Sequence, residues 1–167
     1  MAQTKISEPT KLFVHELGMA LGAERKIHTT LKKLEQKAQR EELKQQFRHH
    51  REETEGQIRN LEQAFQALGA KATGHHAEAV EGLAAETEKM IGTVDTTLVD
   101  TVLLDGAAKT EHVEIAMYEG LITHAEAMGE QDVVALLQEN LEQEQHTLEE
   151  VKRATQTIAQ QAARQAV

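Results

Sequence analysis

Residues 108–129 read AKTEHVEIAMYEGLITHAEAMG, and their apolar residues return every three or four positions. This spacing is that of one face of an α-helix, and it includes Ala108, Ile115, Tyr118 and Ile122. Gly129 follows, and glycine often occupies the left-handed position that ends a helix. The stretch therefore predicts the second half of a long amphipathic helix over about residues 95–128.

The same periodicity extends in both directions along the chain. It predicts further helices over about residues 7–39, 40–69, 76–91 and 130–164. Ser7 is a good N-cap residue, and the single proline, Pro9, stands where the first turn of a helix tolerates it. Strong helix formers dominate the composition, and no alternating strand pattern of useful length is present. We therefore expect an all-α fold.

The lengths of the connections predict how the helices are arranged. The turns at residues 39–40 and at Gly129 are so short that each must join antiparallel neighbours. Residues 70–95, which combine a loop and a short helix, are long enough to span the length of a long helix, about 45 Å. The helices on either side of this connection can then lie parallel. We predict one domain over residues 1–167, a ferritin-like four-helix bundle with one long crossover that carries a short extra helix.

The composition of the 167-residue chain excludes several classes of protein and site. No cysteine is present, which rules out disulfides, thiolate zinc sites and iron–sulfur clusters. A formal charge of -10 and an aromatic content of 2% argue against a nucleic-acid binder, since phosphates are bound by Lys and Arg and single strands stack on aromatic rings. Neither a signal peptide nor a membrane-spanning apolar stretch is found, so we expect a cytoplasmic protein.

Charged residues interrupt the apolar stripes of the long helices. Each of these helices carries a carboxylate on or beside its apolar face: Glu24, Glu53, Glu111, Glu114 and Glu144, with His50 and Gln57 on the same edge as Glu53. Glu24 and Glu53 stand about 15 and 14 residues from the first turn, and Glu114 and Glu144 each stand about 15 residues from the second. Each hairpin thus places one glutamate from each helix at the same height, near the middle.

Two interpretations of these carboxylates are open. A single glutamate on an amphipathic helix is usually an exposed flank residue, and 28 acidic residues place some on a stripe by chance. Ionised carboxylates that converge in a bundle would be strongly unfavourable unless divalent cations bind them, as in the di-metal carboxylate bundles. The matching heights favour a metal site, with these ligands: Glu24, Glu53, Glu114 and Glu144, which His50 and Glu111 could complete.

Four segments of the chain carry a family resemblance. They are LFVHEL (12–17) with Ala23 and Glu24, HREETEGQ (50–57) with LEQAF (61–65), TEHVEIAMY (110–118) and LLQENLEQE (136–144). Over about residues 10–152 the chain resembles the YciF/YciE stress-protein family of the ferritin-like superfamily. The resemblance implies a four-helix bundle, a homodimer and a di-metal-type carboxylate site at Glu24, His50, Glu53, Glu111, Glu114 and Glu144.

The chain departs from the family pattern at several positions. Met19 and Leu21 stand where the family often has an acidic residue and a tyrosine, and Gln143 stands where a second glutamate is common. The superfamily's Glu-x-x-His motif is absent, because the third residue after Glu53 and after Glu144 is not histidine. A site rich in oxygen and poor in imidazole suits manganese, magnesium or calcium as well as iron.

Two functional hypotheses follow. The first is a ferritin-like protein with two divalent metal ions, iron or manganese, that acts in stress defence by oxidising metal or consuming peroxide. The second is a non-enzymatic helical dimer that serves as a protein-interaction or structural module, with a structural metal or none. Metal analysis of protein purified without chelator discriminates between them.

The remaining polar residues receive simpler interpretations. His15 and His28 are expected on helix flanks. Tyr118 is expected in the core, where its hydroxyl could donate a hydrogen bond near Glu114, one turn away. Five further histidines are expected to be solvated, namely His49, His75, His76, His124 and His146.

Overall fold

The computed structural model describes residues 5–165 and contains five α-helices. In chain order they are α1 (Pro9–Lys37), α2 (Glu41–Ala67), α3 (Glu78–Ile91), α4 (Val99–Met128) and α5 (Gln131–Gln165). No strand occurs among these described residues. The predicted all-α fold is confirmed. The predicted domain also includes residues 1–4 and 166–167, which lie outside the described part of the chain.

The observed helix ends lie close to the predicted ones, with two differences at helix starts. α1 begins at Pro9 with Glu8 in the N-cap position, one residue later than the predicted cap, Ser7. α4 begins at Val99 rather than near residue 95, because Thr96–Leu98 first forms one turn of 3-10 helix. A proline in the first helical turn explains the start of α1, since its missing N–H has no helical acceptor there.

Two buried apolar clusters fix the directions of the helices. The first apolar cluster joins the start of α1, the ends of α2 and α4 and the start of α5, and includes Leu17, Leu61, Phe65, Leu121 and Leu137. The second apolar cluster joins the end of α1, the starts of α2 and α4 and the end of α5, and includes Ile27, Leu31, Phe47, Leu104 and Val151. α2 and α4 therefore run parallel, which is the arrangement predicted for a ferritin-like bundle with one crossover.

The crossover from α2 to α4 begins against two glycines of α1. The N–H of His75 donates to the carbonyl oxygen of Gly18 at 2.8 Å. A Cβ atom at Gly22 would lie 1.7 Å from the carbonyl oxygen of His75, so glycine is required for this close approach. The prediction of a solvated His75 is wrong, because its ring is partly buried and lies 4.6 Å from the ring of His15. The crossover is thus packed onto α1 before α3 begins.

Asp100, at the start of α4, holds the turn between α1 and α2. Its buried carboxylate accepts hydrogen bonds from the N–H of Gln39 at 2.7 Å and from the N–H of Arg40 at 3.1 Å. The Nε of Arg40 lies 3.6 Å from the same carboxylate. N–H groups at the start of a helix lack helical partners, so this contact satisfies them and ties the two hairpins together at one end.

The outer faces of the helices are polar. Arg48 pairs with Glu35 at 2.8 Å across the first hairpin, and Lys109 pairs with Glu86 at 2.7 Å between α3 and α4. Such surface pairs contribute little to stability, so the two apolar clusters stabilise the bundle. Within residues 5–165, no helix combines the length and the apolar character needed to cross a membrane.

We expect Gly22→Ala to lower the free energy of unfolding by about 1–3 kcal/mol, the usual cost of overpacking. The added Cβ would collide with the backbone of His75, which cannot move away without detaching the crossover from α1. Gly120→Ala in α4 is the control, because nothing lies within 4 Å of a Cβ there. That variant should gain about 0.5–1 kcal/mol from helix propensity. Urea denaturation measures both, and equal changes would contradict the close approach at Gly22.

Candidate metal centre

A polar layer separates the two apolar clusters at the middle of the bundle. Its ionisable side chains come from all four long helices and are at most 5% exposed: Glu24 from α1, His50 from α2, Glu111 and Glu114 from α4, and Glu144 from α5. They are buried because they occupy positions of the apolar stripes, which continue above and below them. The structure therefore buries five of the six predicted site residues together in this layer.

Four residues of the polar layer could hold a metal ion. One ligand atom from each of His50, Glu111, Glu114 and Glu144 lies within 4.8 Å of the other three. Nδ1 of His50 lies 3.6 Å from Oε1 of Glu111, and Nε2 of His50 lies 3.6 Å from Oε2 of Glu144. Both separations exceed the length of a hydrogen bond, and Nε2 is buried without a partner. We call these four residues the central group.

Glu24 lies beside the central group and is held by a tyrosine. The hydroxyl of Tyr118 donates to Oε1 of Glu24, and the side-chain amide of Asn140 donates to that hydroxyl at 3.1 Å. Oε2 of Glu24 is buried and has no hydrogen-bond partner. Tyr118 is fully buried, as predicted. Its hydroxyl donates a hydrogen bond to Glu24 of α1 rather than to Glu114 of its own helix.

Glu53 differs from the other predicted ligands. Its side chain is 21% exposed, and its Oε1 lies 3.5 Å from Nε2 of His49. The buried polar residues of α2 are instead His50, Thr54 and Gln57. Glu53 follows His50 by three residues, which places it about 60° around the helix axis, towards the flank. Its height along the bundle follows from counting residues from the turn. Its rotation about the axis of α2 keeps its side chain out of the central group.

Two buried amide side chains, those of Gln57 and Asn140, form hydrogen bonds within the polar layer. Nε2 of Gln57 donates to Oε1 of Glu144 at 2.5 Å. The amide of Asn140 accepts a hydrogen bond from Asn60 at 2.8 Å and donates to the backbone carbonyl of Gln57 at 3.3 Å. Sequence analysis missed Asn140, although it stands three residues after Leu137 on the apolar stripe of α5. A polar amide on that stripe was the signal that could have identified it.

Burial and mutual repulsion change the ionisation of the carboxyls. Loss of hydration raises the pKa of Glu24, Glu111 and Glu114 well above the ordinary value, and the negative charge of Glu144 raises each pKa further. The Tyr118 hydroxyl opposes the shift in the pKa of Glu24, because it donates a hydrogen bond to the charged form. Burial also raises the pKa of Tyr118 itself. These carboxyls therefore hold protons at pH values at which exposed glutamates have lost them.

The unpartnered atoms of the layer fit a divalent cation. Buried oxygens without a donor belong to Glu24, Glu111, Glu114 and Glu144, and both oxygens of Glu114 are among them. When these carboxyls are ionised, each such atom is left unsatisfied at a cost of about 1–3 kcal/mol. A cation would remove this cost, since anionic oxygens and the Nε2 of His50 are metal ligands.

The other histidines lie outside the polar layer. His49, His76, His124 and His146 are exposed, as predicted. His28 lies on the flank of α1, with Nε2 3.1 Å from Oε1 of Glu55 on α2. His50 is therefore the histidine that the described structure places among the buried carboxylates.

The sequence and the fold of the chain are similar to those of known proteins. The chain is 36% identical over 138 residues to Protein YciF of Escherichia coli strain K12, covering 81% of this chain and 83% of that protein. The crystal structure of the Escherichia coli stress protein YciF matches with a TM-score of 0.88 at 32% identity, covering 93% of this chain and 99% of that one. YcfI of Rhodopseudomonas palustris matches with a TM-score of 0.87 at 33% identity, covering 91% and 98% of the two chains.

The family assignment rests on nearly the whole described chain. Residues 8–164 match the family described as Domain of unknown function (DUF892). A protein of Xanthomonas campestris has the same fold, with a TM-score of 0.75 at 21% identity, and covers 96% of this chain and 100% of that one. The resemblance to YciF-type proteins is thereby confirmed, and the chain belongs to the DUF892 family.

Proposed function

We propose that this protein binds two divalent metal ions, iron or manganese, in the polar layer and acts in a stress response by oxidising the metal or consuming peroxide. The observation that carries the proposal is the central group, whose ligand atoms lie within 4.8 Å of one another and include buried atoms without partners. A relative named as a stress protein supports the physiological role. The homodimer implied by the family resemblance stays a prediction.

Two ions need more ligands than the central group alone offers. Glu24 supplies a further buried oxygen, Oε2, which has no other partner. Glu114 would also act as a ligand, since both of its oxygens are buried without a hydrogen-bond partner. Glu53 is the outermost candidate ligand, since its side chain is partly exposed and can change rotamer without disturbing the core.

The residues of the layer set its reactivity. When bound, two ferrous ions would each supply one electron, which is enough to reduce one hydrogen peroxide, with two protons, to two water molecules. The four buried carboxylates favour the more highly charged oxidised ion. Gln57 and Tyr118 hold one oxygen each of Glu144 and Glu24, which fixes the orientation of these carboxylates. The apolar clusters on either side exclude water from the layer.

Removing the charge of a central carboxylate should release most of the bound metal. Glu114→Gln and Glu144→Gln keep the size of the side chain but lose an anionic ligand. The measurement is metal content by mass spectrometry, after loading with anaerobic Fe(II) or with Mn(II) and desalting. Glu142→Gln, an exposed position on α5, is the control and should bind as the wild type does. Full metal content in both central variants would contradict the site, and Glu53→Gln should lose less metal than either.

The metal-free protein should become less stable as the pH rises from about 5 to 8. Glu24, Glu111 and Glu114 have raised pKa values in the folded protein, whereas the unfolded chain loses these protons near the ordinary value of 4.5. Their contribution to stability is thus fully present below that value and is lost as the pH rises through the folded pKa values. The thermal midpoint measured with chelator should fall across this range. The combined glutamine variant of the three should flatten the slope, and an unchanged slope would contradict the assignment.

Ferrous iron at two equivalents per chain should be oxidised faster with the protein than without it. His50→Ala should slow the reaction by about tenfold or more while retaining most of the bound iron, because the carboxylates carry the charge and the imidazole tunes the metal. His49→Ala is the matched control, since this neighbour is exposed. Stopped-flow absorbance measures the rates. No acceleration of the wild-type reaction with dioxygen or hydrogen peroxide would favour the non-enzymatic helical module.

A further inference from the structure

A cavity of about 30 Å³ lies between α1, α3 and α4, next to the polar layer. Its wall includes two residues of the central group, His50 and Glu111. The remaining wall is formed by one face of α3 and the facing parts of α1 and α4, and its apolar side chains include Ile27, Leu31, Val80 and Ala84. The crossover helix thus forms one wall of a small space that reaches the candidate metal ligands.

The hydroxyl groups in the wall have hydrogen-bond acceptors within their own helices. Thr30 donates to the carbonyl of Lys26 at 2.9 Å, and Thr87 donates to the carbonyl of Leu83 at 3.0 Å. Thr110 likewise donates to the carbonyl four residues earlier, at 3.0 Å. Besides His50 and Glu111, a molecule in the cavity therefore finds hydroxyl oxygens that can still accept hydrogen bonds but have no free proton to donate. His50 and Glu111 give a buried water the minimum of two polar partners, whereas the aliphatic side chains that form most of the remaining wall favour an apolar occupant.

The size of the cavity restricts that occupant to a few atoms. A cavity of about 10–15 Å³ already holds one water molecule, and this one is two to three times larger. Organic substrates need several hundred cubic ångströms, so they do not fit here. The close contact of α3 with α4 keeps the space small, because a Cβ at Gly106 would lie 2.3 Å from Oγ1 of Thr87.

We propose that this cavity binds dioxygen and delivers it to the His50–Glu111 side of the central group. Dioxygen is small, neutral and apolar, which matches both the volume and the wall of the cavity. Hydrogen peroxide is of similar size but would lose hydrogen bonds to water on entering. In the cavity dioxygen is only bound, and no bond forms or breaks. The delivery step rests on the function proposed above, whereas the binding step does not require metal.

Methyl NMR of the metal-free protein tests the binding step. Dissolved dioxygen is paramagnetic, so it should relax the methyl groups of Ile27, Leu31 and Val80 more strongly than those of Leu17 and Leu137 in the first apolar cluster. Equal relaxation in both clusters would overturn the proposal. This NMR experiment uses dioxygen itself as the probe and detects its binding without any reaction.

Two neighbouring alanines of α3 provide matched variants. Ala84 lines the cavity and Ala85 is exposed, so Ala84→Leu should fill the cavity and Ala85→Leu should leave it open. Ala84→Leu should abolish the enhanced relaxation of Ile27 and Leu31, and Ala85→Leu should retain it. Val80→Ala enlarges the cavity and should strengthen the effect, which keeps the test decisive if Ala84→Leu folds poorly. Identical relaxation in all three variants would overturn the proposal.

Iron oxidation tests the delivery step. With ferrous iron bound, Ala84→Leu should slow oxidation by dioxygen several-fold, slow oxidation by hydrogen peroxide less, and leave iron content unchanged. Ala85→Leu should match the wild type in all three measurements. If Ala84→Leu blocks dioxygen binding but leaves its reaction rate unchanged, delivery through this cavity is wrong. If the wild type binds no iron, the proposed function fails, while the NMR result still decides whether the cavity binds dioxygen.

Discussion

The burial of four carboxylates in one layer of the bundle is the constraint on which the rest of the structure depends. Each of them loses hydration, and Glu144 repels the other three, so ionisation of all four without compensation is strongly unfavourable. Protons or cations must provide that compensation. The layer itself cannot hold the bundle together, so the two apolar clusters on either side and the contacts that tie the hairpins must do so.

The hydrogen bonds of the layer are unevenly distributed, and this matters for binding. Gln57 and Tyr118 each occupy one oxygen of a carboxylate, whereas both oxygens of Glu114 lack a donor. A layer with every lone pair occupied by a donor would be a stable polar core with little affinity for a cation. In a layer in which no lone pair accepted a hydrogen bond, the carboxylates would have no fixed orientation. Partial satisfaction orients the carboxylates and leaves ligand atoms available, which is a property of binding sites rather than of packed cores.

Sequence analysis predicted the positions of the site residues along the bundle well, and their rotation about the helix axes less well. The rise of a helix is regular, so counting from two tight turns was enough to bring Glu24, Glu114 and Glu144 to one level. Glu53 lies closer to the flank than its height suggested, because a rotation of about 60° moves a side chain away from the core without changing its height. The role of Asn140 and the packing of the crossover on α1 depend on contacts between distant segments, which helical periodicity does not encode.

The topology of the bundle and the chemistry of its centre are linked through the crossover. Parallel α2 and α4 require a long connection, and α3 within it covers the side of the bundle where α1 and α4 meet. His50 lines the cavity beneath α3 and also a second, more polar cavity between α2 and α5, which Glu53 and Glu150 border. The imidazole thus lies where an apolar and a polar approach to the buried carboxylates meet. An up-down-up-down bundle with short connections would lack the wall of the first cavity, so the crossover gives the centre two chemically different sides.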